Sequence, residues 1–208
     1  MSIHKYDELS SFQIDALREL GSIGAGNAAS SLSGMLDQKI TMSVPAVRIL
    51  ENNEAIKQMG GAEKILSAVL VKFSGTIEGI ILYLQSLDFI NLVLKNVLSE
   101  TVEDYSQLNE IETSALVEIG NIMISSYINA IASMTDLGIE LSVPAACINM
   151  LGGILSVPMA EYGYSADKLM IVEGKIIIDG QAVDSSLIMV PNIASLNIIL
   201  NKLGVIGE

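Results

Sequence analysis

Ser114, Glu118 and Asn121 stand at i, i+4 and i+7 inside a stretch otherwise dominated by apolar residues. Asp15, Glu19 and Ser22 repeat that spacing nearer the N-terminus. Residues three and four apart share one face of a helix, so each trio makes one polar stripe. A carboxylate one turn from a carboxamide sets a charged acceptor beside a group that both donates and accepts hydrogen bonds. Such a pair can grip a lysine through the acid and orient a water through the amide. Polar residues on a helix are ordinarily just its solvated face. Two features pull against that reading here. The stripe occurs twice while many neighbouring surface positions do not match, and Asn and Ser in mid-helix have no propensity motive.

Competing chemistries lack parts. His4 is the only histidine, in a terminus expected to fray, so no Ser-His-Asp or Cys-His machinery can assemble. With Cys147 the only cysteine, there is no zinc set and no disulfide framework, and Cys147 is expected to be a buried small hydrophobe. No Asp-x-Asp-x-Asp-Gly calcium loop occurs, so no bound metal or cofactor is expected on this chain. Gly21-Ser-Ile-Gly24-Ala-Gly26 is not G-x-G-x-x-G and interrupts a helical pattern, which points to close helix packing. Met123, Met134, Met150 and Met159 are expected to fill core gaps in helical stretches. A formal net charge of −13, with only 11 basic residues, argues against nucleic acid. Uninterrupted apolar runs are far shorter than the roughly 20 residues of a membrane span, and the N-terminus has no apolar signal segment. The expectation is a soluble, cytoplasmic protein.

The elements that must carry the stripes come from a duplication. Shifting the chain by 99 residues lays Asp15-Ala-Leu-Arg-Glu19-Leu-Gly-Ser22 on Ser114-Ala-Leu-Val-Glu118-Ile-Gly-Asn121. The register continues without a gap to Ser43-Val-Pro45-Ala over Ser142-Val-Pro144-Ala. Apolar spacing predicts long helices over 9–36, from Phe12, Leu17, Leu20, Ile23 and Leu32, and over 111–135. Ser10 or Ser11 could cap the first. β-rich runs follow at 64–75 and 76–85, and at 168–180 and 182–190, with closing helices at 87–98 and 193–203. Turns as short as Ser74-Gly75 favour antiparallel pairing. The predicted class is α+β: one domain over 1–208 built as a pseudo-two-fold of homologous halves, about 9–100 and 108–205, sharing a mostly antiparallel sheet covered by helices.

The pattern Asp or Ser, three residues, Glu, two residues, Asn, twenty-two residues, Pro resembles the signature of the CheC, CheX and FliY phosphatases. Ser114, Glu118, Asn121 and Pro144 match it fully; Asp15, Glu19 and Pro45 match it, with Ser22 where the family usually has Asn. The resemblance spans roughly residues 10–205. Two copies favour CheC over single-copy CheX, and the end at Glu208 favours it over FliY, whose phosphatase part is fused to a switch domain. The resemblance implies a hydrolase acting on the phospho-aspartate of a CheY-type response regulator that brings its own Mg²⁺. It gives Glu118 and Glu19 the role of pairing with the regulator's lysine, and Asn121 that of holding the attacking water. It also implies CheD, a receptor-modifying deamidase, as a partner at the short helix of the second half, although some members carry an acidic residue where Asn149 stands. That segment, 149–158, ends in Pro158, which is expected to break a helix. Two other readings stay open: a non-enzymatic CheD adaptor, and a flagellar-switch component like FliM, which shares the fold without the catalytic residues.

Overall fold

A computed structural model of the chain describes residues 3–162 and 168–205. Each half opens with a single 3-10 turn, Tyr6–Glu8 and Tyr105–Gln107, so the 99-residue repeat begins earlier than the sequence match suggests. Tyr6 is buried and its hydroxyl donates to the Pro191 carbonyl at 2.6 Å, while Ile3 is buried beside it. The expected frayed terminus is therefore docked, although His4 itself is exposed.

The long helices are α1 (Ser11–Leu36) and α4 (Glu110–Thr135), 26 residues each. Both start with a reciprocal cap: the Ser10 hydroxyl accepts from the Gln13 amide while Gln13 Oε1 accepts from the Ser10 amide, and Asn109 and Glu112 do the same. Both end on an aspartate in the left-handed region, Asp37 (φ 49°) and Asp136 (φ 56°), which stops the helix. By length and composition α4 could cross a membrane. Over half of that window is buried, against α1 and the sheet, and Glu110, Glu112 and Glu118 punctuate the helix. This is the pattern of a core helix.

After α1 come β1 (Ile40–Met42), β2 (Ala46–Glu51), α2 (Asn52–Gln58), β3 (Ile65–Gly75), β4 (Gly79–Gln85) and α3 (Leu87–Val97). After α4 come β5 (Ile139–Leu141), β6 (Ala145–Met150), α5 (Leu151–Tyr162), β7 (Lys168–Ile178), β8 (Gln181–Pro191) and α6 (Ile193–Lys202). The eight strands form one antiparallel sheet in the order β1-β7-β8-β4-β3-β5, with β2 also on β7 and β6 also on β3. The strands following each long helix thus pair with the hairpin of the other half. The Ser43 hydroxyl accepts from the Lys175 amide and the Ser142 hydroxyl from the Lys72 amide, so the exchange is fastened identically on both sides.

Side chains alternate across the strands. Val69, Val71, Phe73, Ile81 and Tyr83 face the main core beneath α1, α3, α4 and α6. Leu66, Ala68, Ile80, Leu82 and Leu84 face a smaller core closed by Ala55 of α2 and by Leu151, Ile154 and Leu155 of α5. Covered on both faces, β4 is buried along its whole length. The β7–β8 turn places Asp179 and Gly180 at φ 50° and 78°, as a tight hairpin twisted with its strands requires.

Several expectations are corrected. Cys147 is exposed on the edge strand β6, opposite Ala68, as is the rest of that strand. Of the four methionines only Met123 is core; Met134 and Met159 are exposed on helices, and Met150 is exposed on β6. Phe12 points outward and Gly26 faces open space, whereas Gly24 does mediate close packing. Pro158 does not end α5, which continues to Tyr162. The first hairpin turns at 76–78, one residue beyond the expected Ser74-Gly75.

Candidate functional site

α1 and α4 pack directly against each other above the sheet. A Cβ on Gly24 would lie 2.6 Å from the Tyr127 ring and 3.1 Å from its Cα, so glycine permits this approach. A Cβ on Gly120 would fall 2.5 Å from Val69 Cγ2, so α4 presses on β3 at the residue between Ile119 and Asn121. Buried Gln85, at the end of β4, fixes the height of that helix. Its Nε2 donates to the Leu116 carbonyl at 2.9 Å and its Oε1 accepts from Ser67 at 3.0 Å. Residue type alone does not mark this clamp, since Gln85 looks like the ordinary polar end of an apolar strand.

On the opposite side of α4 the predicted stripe is displayed. Ser114 and Glu118 are exposed and Asn121 is half-buried. None of the three side chains has a hydrogen bond or ion pair among the described residues. The carboxylate and the carboxamide are thus both free to engage something from outside.

The stripe on α1 has the same placement: Asp15 and Glu19 exposed, Ser22 half-buried. Its chemistry is more occupied. Asp15 pairs with Arg18 at 2.5 Å, and the Ser22 hydroxyl donates to the Arg18 carbonyl at 3.1 Å. Glu19 alone is unengaged. Pro45 is buried over Gly21, 3.7 Å from where a Cβ would sit, which holds the end of β1 and the start of β2 beside Ser22.

An open cleft of about 970 Å³ runs from Val44 past Arg48, Lys64 and Asp184, but no residue of either stripe lines it. A stripe displayed on an exposed helical face suits a macromolecular substrate that supplies its own concavity. Among the described residues, no group of three His, Cys, Asp or Glu side chains converges. Partial burial raises the Cys147 thiol above its usual range, which disfavours the reactive thiolate.

The sequence profile of the CheC-like family matches twice, over residues 12–49 and 111–148. These ranges differ by the same 99 residues as the repeat, and each contains one stripe and its proline. Both stripe-bearing segments of the chain thus resemble the CheC-like family. It is 29% identical over 196 residues to the CheY-P phosphatase CheC of Bacillus subtilis (strain 168), covering 92% of this chain and 94% of the relative. The fold matches Thermotoga maritima FliY with a TM-score of 0.76 at 20% identity, covering 95% of this chain and 98% of that one. It also matches a chain of the FliG–FliM complex from H. pylori with a TM-score of 0.68 at 12% identity, covering 93% and 100%. The α+β architecture, the antiparallel sheet and the internal pseudo-symmetry are as the sequence predicted.

Proposed function

We propose that this chain hydrolyses the aspartyl phosphate of a CheY-type response regulator, chiefly through α4. The carrying observation is the pair Glu118 and Asn121, displayed one turn apart with no partner of their own. The relative from Bacillus subtilis, named a CheY-P phosphatase, supports the same reading.

In this mechanism Glu118 pairs with a lysine beside the phosphorylated aspartate and seats α4 over the phosphoryl group. The Asn121 carboxamide holds a water in line with the phosphorus. The water oxygen forms the new P–O bond as the acyl P–O bond breaks, and the aspartate leaves as carboxylate with inorganic phosphate. Mg²⁺ held by the regulator would supply charge neutralisation at the phosphoryl oxygens. No covalent intermediate forms on this chain, because phosphoryl transfer is governed by in-line geometry and charge placement. A substrate of this kind places the protein in the cytoplasm. Glu19 offers the first half a docking acid without a competent amide beside it.

Phosphate release from a phosphorylated CheY-type receiver, followed with and without the chain, tests the proposal. Acceleration that requires Mg²⁺ on the receiver supports it. If the chain leaves the receiver's own rate unchanged, the phosphatase reading fails and a scaffold of the FliM type gains.

A further inference from the structure

Four of the large apolar side chains most exposed to solvent fall into two pairs related by the repeat. Phe12 and Ile111 are 66% and 70% exposed, and Val44 and Val143 are 80% and 87% exposed. Each pair differs by 99 residues, and no core contact explains either. Single exposed aliphatics are common on protein surfaces. The same two positions left apolar and bare in both diverged halves are a different matter.

Their placement is set by the stripes. On α4, Ile111, Ser114, Glu118 and Asn121 follow spacings of three, four and three, so Ile111 heads the same helical face. Phe12 heads the stripe of Asp15, Glu19 and Ser22 in the same way. Val44 precedes Pro45, which packs over Gly21 next to Ser22. Val143 likewise precedes Pro144, which stands 23 residues beyond Asn121 as Pro45 stands 23 beyond Ser22. Each stripe therefore has one bare apolar side chain at its N-terminal end, and another stands at the matching place in the link between the two strands that follow the helix.

We propose that Ile111 and Val143 are the apolar anchors by which a phosphorylated receiver domain is held against α4, with Phe12 and Val44 as their counterparts on α1. The inference rests on the phosphatase reading and adds what grips the substrate away from the reacting atoms. Ile111 lies seven residues from Glu118, about 10 Å along the helix. A protein interface of standard size covers about 800 Å² per partner, a disc of roughly 16 Å radius. Ile111 lies ten residues, about 15 Å, from Asn121, so a receiver that brings its phosphoryl group to Asn121 and its lysine to Glu118 reaches Ile111 towards the rim of such a disc. The receiver surface has to offer an apolar contact beside its active-site lysine, since the acidic stripe meets the lysine and the aliphatic anchors cannot.

The test uses the full chain, the variant Ile111→Ala with Val143→Ala, and a CheY-type receiver loaded with beryllofluoride and Mg²⁺ for binding. Phosphorylated receiver serves for turnover. Both side chains are exposed, so folding should be unaffected. Kd for the beryllofluoride receiver should rise about tenfold or more. Hydrolysis at saturating receiver should be unchanged, because the reacting groups are untouched. An unaltered Kd overturns the proposal, as does a fall in saturated rate at constant Kd. A change in self-association without a change in Kd would assign the anchors to a second copy of the chain and overturn it too. A wild-type chain that does not accelerate hydrolysis rejects the phosphatase reading and this inference with it. A working wild type with an indifferent variant rejects the inference alone.

Discussion

The two halves share a backbone frame down to long helices of equal length, equivalent caps on them and matching strand exchange, yet they hold their stripes differently. In the second half Gly120 is pressed onto Val69, with only 2.5 Å left for a Cβ; in the first, Gly21 has an ordinary 3.4 Å to Val172. Gln85, which precedes the Ser86 cap of α3, clamps the Leu116 carbonyl of α4. The residue in the same place before the Asn192 cap of α6 is Pro191, which has no side-chain donor to offer α1. Asn121 is free, whereas Ser22 is bonded to its own helix. Duplication has preserved the frame while seating, clamping and an available amide meet only on α4.

The largest effect should come from removing that amide. Asn121→Ala is expected to lower phosphate release about 100-fold or more, some 2.7 kcal/mol of transition-state stabilisation. Stability should stay within about 0.5 kcal/mol, because the side chain has no partner to lose and Ala is the better helix former. Thermal denaturation alongside the assay separates the two. A variant that retains near wild-type turnover would remove Asn121 from the mechanism.

The next contrast is structural. Gly120→Ala pushes a methyl into the stiff, branched side chain of Val69 and should destabilise by about 1–3 kcal/mol. Gly21→Ala meets only van der Waals contact and should be neutral, or stabilising by up to about 1 kcal/mol through helix propensity. Denaturant midpoints at constant slope would show it. Equal effects at the two glycines would mean that the helices sit on the sheet alike. Gln85→Met should cost a similar amount, about 1–3 kcal/mol, by leaving the buried Ser67 hydroxyl without its acceptor. It should also lower the saturated rate more than it weakens receiver binding, because it loosens α4 under the reacting groups. A drop confined to binding would deny the clamp a role in positioning.

Much of this was legible in the residues because a gapless repeat constrains both copies at once. The long helices, the hairpins and both stripes follow from apolar period and the 99-residue register. What was not legible depended on neighbours far away in sequence. Cys147 and Met150 look like core residues because their types are usually buried, but β6 is an edge strand exposed along its whole length. Phe12 fits the helical period of the core and still points outward, because the apolar face of α1 is narrower than the pattern. Gln85 could not be identified as a clamp until the sheet placed it beneath Leu116.

The smallest expected effect probes the first half. Serine lacks an amide, and its side chain is one heavy-atom bond shorter than asparagine's. The Ser22 hydroxyl is also turned back to the Arg18 carbonyl, so a water at the distance Asn121 spans would be out of reach. Glu19 remains free to dock a receiver lysine. With Glu118→Ala and Asn121→Ala together, little hydrolysis should remain, although a receiver should still bind at α1. Adding Ser22→Asn to that background should restore part of the rate, because the carboxamide then stands one turn from Glu19 as Asn121 stands from Glu118. Recovery should be incomplete, since α1 lacks the Gln85 clamp and Asp15 is held by Arg18. Both measurements share the same disabled second half, so their ratio reports on position 22 alone. If the double variant keeps most of the wild-type rate, Ser22 is already competent and the ranking of the halves is wrong. If Ser22→Asn changes nothing while the receiver still binds, the seating of α1, and not the missing amide, is what silences the first half.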